Sequence, residues 1–367
     1  MSKKSWLIIL SLIIILIVMF VALYFYEIDK IRSETEGKRS SSVISNFNVV
    51  PSLEDEITEN TTWCGTFNLI WNDLKNDLVK QDIVFENQPK IVNNLNKGTF
   101  NTSYLSDKSY YKVYGTPSIE LKQRIENAIK EKFNETSDIL NDFNWESRGP
   151  RDYFLYAMLK KEFEFPKVFT KLDKGTFGEY KNVSYFGINS STEEAVRDQV
   201  KVLYYNSKED FAVKLLTKSE DEVIISKGNS QNTFAQIYGE IQNASENYAG
   251  NKVFSEMDRL RIPNIDFNQK EEFTELENKP FLFSDGEEYE IEKAVQTIKF
   301  SLDEKGGKIK SEAGMMAKNT SILAPGGPRE FIVDDTFCIF LKERNKDLPY
   351  FAAKISDISQ VQSDVKK

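Results

Sequence analysis

The residues of this chain that could do chemistry are few in kind. Cys64 and Cys338 are its only thiols, Asp334-Asp335 and Glu287-Glu288 are adjacent carboxylate pairs, and histidine is absent from all 367 residues. Without histidine, Ser-His-Asp and Cys-His nucleophilic catalysis are excluded. His-ligated zinc sites go with them, and two cysteines cannot build an all-thiolate site. Carboxylate pairs are ordinary on an acidic surface and carry almost no catalytic weight. There is no P-loop and no dinucleotide fingerprint, and Gly326-Gly327-Pro328 is a turn signal. No cofactor and no metal is expected; the enzyme class is not excluded, but its usual equipment is missing.

The segment that asks for an explanation is Asp303 to Lys318, D-E-K-G-G-K-I-K-S-E-A-G-M-M-A-K. It opens like a loop, with Gly306 beside Gly307, and then alternates. Gly307, Ile309, Ser311, Ala313, Met315 and Ala317 fall on one side; Lys308, Lys310, Glu312, Gly314, Met316 and Lys318 fall on the other. Every charge keeps to one parity. That is the pattern of a strand with one buried face, in a stretch that otherwise looks mobile.

The elements around it divide unevenly. Residues 63–80 place Phe67, Ile70, Trp71, Leu74 and Leu78 at helical spacing, and 117–133 do the same with Leu121, Ile125, Ala128, Ile129 and Phe133 after a start signal at Ser118. From about residue 150 strands dominate. They are expected at 153–159, 200–205, 211–216, 223–226, 259–267, 297–302, 331–333, 338–342 and 350–355, with a short helix near Phe234 to Ile241. The fold class is α+β, with large mixed or antiparallel sheets and helices concentrated in the N-terminal half. Cys64 and Cys338 sit in apolar contexts that suit buried free thiols; a disulfide between them stays open.

Trp6 to Tyr26 is uncharged and, apart from Ser11, built from apolar and aromatic residues, long enough to cross a hydrocarbon core of about 30 Å. Its length and the lack of a small-residue cleavage site favour an uncleaved single-pass anchor over a signal peptide. The expected organisation is a short cytoplasmic N-terminus at 1–5, a transmembrane anchor at 6–26, a polar stalk at 27–58, a domain at 59–360 and a polar tail at 361–367. Lys3 and Lys4 precede the span while Lys30, Arg32, Lys38 and Arg39 follow it, so charge does not set the orientation. A large domain behind one N-terminal anchor is expected outside the cell, at the cell membrane. A net charge of −9 argues against a nucleic-acid partner.

The C-terminal third resembles the serpin family. I-E-K-A-V-Q-T-I-K-F-S-L-D-E-K-G-G-K (291–308) is similar to the serpin run from a central sheet strand into the reactive-loop hinge, A-V-H-K-A-x-x-x-V-x-E-x-G-T. Residues 329–358 resemble the family's closing E-F-x-x-D-x-P-F-x-F-x-I and its final strand, and L-R-I-P-N-I-D-F (260–267) resembles L-P-K-F-K-I. The likeness is clearest over 211–358. Earlier, Phe163, Phe165-Pro166, Phe169 and Thr170 resemble F-K-G-x-W-x-x-P-F more thinly. Gln296 stands where serpins have a sheet-opening histidine, Phe163 where they have a tryptophan, and the segment between Phe267 and Ile291 is short. These departures suggest a reduced serpin.

The resemblance implies a bait. In serpins a protease cuts this loop, which then enters the central sheet as an extra strand and drags the enzyme away as an acyl-ester. On that reading Glu304, Lys305, Gly306 and Gly307 form the hinge. Ile309, Ser311, Ala313, Met315 and Ala317 form the inserting face. The scissile bond falls near Thr320-Ser321, and the partner is a protease, most readily of the serine type. The alternative is a surface binding or interaction module that keeps the fold without inhibiting.

Overall fold

The computed structural model describes residues 47–146, 149, 151–307 and 328–367. Three sheets and two strand pairs carry it. The largest has the order β1-β2-β19-β18-β10-β9-β8, with β1 (Asn48–Val49), β2 (Thr61–Cys64), β8 (Val200–Ser207), β9 (Asp210–Leu216), β10 (Asp221–Lys227), β18 (Phe337–Glu343) and β19 (Phe351–Ile355). Apart from the parallel β1–β2 pair its neighbours run antiparallel. β18, F-C-I-F-L-K-E, and β10, D-E-V-I-I-S-K, are near-continuously buried. This is why they read as short apolar runs and not as alternation. The charged residues at their ends are ion-paired, Glu222 with Lys214 at 3.0 Å and Lys227 with Glu209 at 2.6 Å.

A second sheet has the order β17-β11-β7-β6, from β6 (Thr170–Phe177), β7 (Tyr180–Ile188), β11 (Arg259–Pro263) and β17 (Glu330–Ile332). The third has the order β12-β15-β16-β5, from β5 (Phe163–Glu164), β12 (Ile265–Glu272), β15 (Val295–Asp303) and β16 (Gly306–Gly307). β3 (Tyr110–Gly115) pairs with β4 (Phe154–Leu159), and β13 (Pro280–Leu282) with β14 (Glu288–Glu290). On β15, Gln296, Ile298, Phe300 and Leu302 are buried while Lys299 is exposed. Phe300 meets Phe351 of the large sheet at 4.6 Å between ring centroids.

The helices are α1 (Thr66–Asp73), continued as a π-turn to Val79, α2 (Lys90–Asn96), α3 (Ile119–Phe133), the single turn α4 (Glu194–Arg197) and α5 (Phe234–Asn247). α3 follows its sequence signals closely. The Ser118 hydroxyl accepts the Leu121 N–H at 3.1 Å and Asn134 closes the helix at φ +53°. Leu121, Ile125 and Ile129 join Phe154 and Tyr156 in a small core of their own. Mixed α+β with several sheets and few helices is the class expected.

Several expectations are corrected. Residues 47–58 are not stalk. β1 pairs with β2, Val49, Val50 and Leu53 are buried, and Ile57 N–H donates to Asn232 O at 2.8 Å. Enough apolar residues lie among the polar ones to fill the sheet edge. Residues 361–367 are not a free tail: Val361 is buried, and Lys366 pairs through its backbone with Lys181. The expected helix from Trp63 starts at Thr66, because Trp63 and Cys64 belong to β2. The expected strand 259–267 is two strands of different sheets, parted at Asn264. Cys64 and Cys338 are buried and free, with β19 between their strands, and burial pushes the Cys338 thiol up to about 12. The anchor expected at 6–26 lies outside the described residues; among those described, no helix is long and apolar enough to cross a membrane.

Candidate functional site

Of the residues assigned to the bait, Glu304 to Gly307 are described. Ile309, Ser311, Ala313, Met315, Ala317, Thr320 and Ser321 lie outside the described residues.

β15 ends at Asp303, and Glu304-Lys305 turn the chain back so that Gly306 and Gly307 pair with Asp303 and Leu302. On their other side the same glycines pair with Glu164 and Phe163 of β5. Gly306 and Gly307 are therefore a short strand between two others. The spot admits little else. Gly306 sits at φ +145°, and a Cβ there would lie 2.1 Å from the Phe163 carbonyl oxygen. At Gly307 a Cβ would lie 2.5 Å from the Phe163 ring. The turn is bound as well: Phe165 N–H donates to Lys305 O at 2.8 Å and Phe169 N–H to Glu304 O at 2.9 Å. The Glu304 side chain is buried, with the exposed Lys171 ammonium 3.2 Å from it.

Past Gly307 this pairing goes no further among the described residues. β5 continues the path of β4, yet β4 has only β3 as a strand partner among the described residues. β15 has β12 along its length on one side, and on the other, among the described residues, only β16 at Leu302 and Asp303. One edge of β4 and one of β15 thus carry backbone groups with no ladder partner among the described residues, and an unpaired edge is a template for another strand. Gln296 lies on the β15 edge. Its amide N–H groups bond Cys64 O at 2.9 Å and Thr66 Oγ1 at 2.8 Å, tying β15 to the start of α1, while its buried Oε1 has no partner among the described residues.

The far end of the loop is held differently. Arg329 bonds Asp258 through Nη2 at 2.7 Å and Nε at 3.2 Å, and Nη2 also reaches Val253 O at 2.7 Å. Asp258 is buried; burial would raise its carboxyl, but Arg329 and the N–H groups of Ser255 and Arg329 outweigh it and hold it below the ordinary range. β17 then runs parallel to β11.

Sequence reasoning singled out Gly306 and Gly307, which are found paired between β15 and β5, and missed the clamp. Asp258 and Arg329 are ordinary charged residues 71 positions apart, and no periodicity joins them.

No family model matches the sequence, and no curated protein matches it. Solved structures do match. SRPN18 from Anopheles gambiae is 11% identical, with 81% of this chain and 92% of that one covered at a TM-score of 0.46. Tengpin, a thermophilic serpin in its native state, is 13% identical over 84% and 90% at 0.44. Serpin48 of the insect Tenebrio molitor is 16% identical over 70% and 78% at 0.39. The chain is similar to serpins. At TM-scores below 0.5 that likeness carries no function by itself, and the paired glycines, strand edges and clamp of this chain must supply one.

Proposed function

We propose that this chain is a serpin-like inhibitor of a serine-type protease, held at the cell membrane by residues 6–26 with its domain outside. The observation that carries the reading is the two-residue strand Gly306–Gly307, seated between β15 and β5, next to two edges with no ladder partner among the described residues. Continuing both registers past Gly307 sets Ile309 opposite Phe300 and Lys161, Ser311 opposite Ile298 and Leu159, and Ala313 opposite Gln296 and Ala157. The β15 residues in that series are the buried ones. The loop residues are the small or apolar parity of the sequence. Lys308, Lys310 and Glu312 take the outward side, opposite Ser301, Lys299 and Thr297.

The chemistry belongs to the protease. Its serine Oγ attacks the Thr320 carbonyl carbon, a C–O ester forms, the Thr320–Ser321 C–N bond breaks, and Ser321 leaves as a protonated amine. The freed N-terminal part enters the gap, pairing backbone groups and burying its apolar parity. The ester is carried with it before water can hydrolyse it. The distal part stays at Arg329.

The test is incubation with a panel of serine proteases. An adduct that survives SDS, together with release of the fragment C-terminal to the cut, is the expected result. Free cleavage by every protease with no adduct overturns inhibition and leaves a binding module.

A further inference from the structure

Lys161 falls between β4 and β5, where the strand path breaks, and it is buried. Its ammonium binds Asp221 Oδ1 and lies 2.6 Å from Glu343 Oε1 and 4.6 Å from the centroid of the Tyr350 ring. Both carboxylates are buried too, one at the start of β10 and one at the end of β18. The remaining donors come from all sides: Tyr350 OH to Asp221 at 3.1 Å, Ser219 Oγ to Asp221 at 2.9 Å, Ser106 N–H to Glu343 at 2.9 Å and Ser109 Oγ to Glu343 at 3.2 Å. Burial and the neighbouring Asp221 hold the Tyr350 phenol well above its ordinary range, so it stays a donor. Ser106 and Ser109 lead into β3, so the cluster fastens the ends of both β3 and β4 to the seven-stranded sheet.

A buried cation with two carboxylates is a poor way to gain stability, because desolvating three charges offsets most of their attraction. It is a good way to fix position, since no member can leave alone. The place it fixes is two residues before Phe163, which pairs with Gly307. Aligned on Phe163, the pattern F-K-G-x-W puts a glycine where this chain has Lys161, so the cluster belongs to this chain's own residues.

We propose that Lys161 is a positioning residue that anchors the β4–β5 wall of the gap, so that the hinge glycines and any strand continuing them meet a fixed edge. The proposal deepens the inhibitor reading and rests on it only for its consequence in inhibition. With the wall fixed, an entering strand pairs at once; with the wall loose, insertion slows and the acyl-ester is hydrolysed first.

The experiment uses the full chain in detergent micelles. The neutral triple variant Lys161→Met/Asp221→Asn/Glu343→Gln roughly keeps volume and leaves one acceptor oxygen on each former carboxylate while removing every charge. Hydrogen exchange is followed at Phe165 N–H and Phe169 N–H, which bond the hinge turn, against amides of β18 and β19. The control is Lys112→Met/Asp73→Asn, which removes a different ion pair, between β3 and α1. The expected result is exchange at least tenfold faster at the two hinge amides in the triple variant, with little change in the control. If the triple variant does not fold, Tyr350→Phe, which removes a single donor to Asp221, gives a rise of two- to threefold at the same amides. Hinge exchange within the scatter of the unaltered chain, in whichever of these variants is folded, overturns the proposal. So does an equal rise in the control. The second arm is the number of chains consumed per protease trapped, expected to rise at least threefold. If the unaltered chain traps no protease, the inhibitor reading fails while the exchange arm still decides the role of Lys161.

Discussion

The two ends of the segment 308–327 are held by opposite means. At the near end two glycines are wedged between strands, with backbone pairing on both sides and Glu304 attended by a mostly exposed Lys171. At the far end a guanidinium and a buried carboxylate make a two-point bond, with further carbonyls taking the remaining donors. The near end depends on shape and the far end on charge. The difference teaches a division of labour. A strand of glycines can lengthen downward one residue at a time, because each step adds pairing of the same kind. A buried ion pair has no intermediate position, so on the proposed reading the far end stays put while the near end travels.

The largest effect should come from breaking the far end. Asp258→Ala leaves Arg329 mostly buried and without its carboxylate, which costs about 3–5 kcal/mol, read by denaturant unfolding. Acid should act in the same direction. Because the folded Asp258 carboxyl is held below its ordinary value, its contribution is complete above about pH 4 and fades as the pH falls further. If Asp258→Ala unfolds like the unaltered chain, the clamp is ornamental and the contrast between the two ends collapses.

A smaller effect is expected at the near end. Gly306→Val demands a side chain at φ +145° and against the Phe163 carbonyl oxygen, a strain of about 1–3 kcal/mol. The chain can relieve it by lifting the hinge out of the sheet, so global stability falls by less than for Asp258→Ala. Proteolysis within 303–307 should then speed up, and a hinge that stays as protected as before would show that the glycines are incidental.

How much of this was legible in the sequence depends on the kind of interaction each part uses. Gly306 and Gly307 stood out because two adjacent glycines open a run with the period of two of strand pairing, and the two glycines are found paired between β15 and β5. α3 was legible because its cap at Ser118 and its apolar face are local. β18 and β10 were legible as apolar runs. The clamp of Arg329 on Asp258 and the cluster around Lys161 were not. Each is a meeting of charged residues from distant strands, and in sequence such residues look like solvated surface. The strand read at 259–267 is two because Pro263, just before Asn264, interrupts the run, a signal that the apolar residues on both sides outweighed. β6 and β7 escaped notice because polar residues crowd their exposed positions. The first residues of the sheet, 47–58, were hidden by acidic neighbours that outweighed Val49, Val50 and Leu53.

The central claim is that the alternating residues after Gly307 become a strand when the loop is cut. The measurement is a pair of melting curves, before and after a single cut near Thr320-Ser321, for the unaltered chain, Ile309→Arg and Lys310→Arg. The account predicts that the three intact proteins melt together and that cutting raises the melting temperature of the unaltered chain and of Lys310→Arg. Ile309→Arg should gain nothing, because the register sets residue 309 against Phe300 and would bury an unpaired charge there, at a cost of several kcal/mol. Equal gains in both variants, or a loss of stability in intact Ile309→Arg, would contradict it.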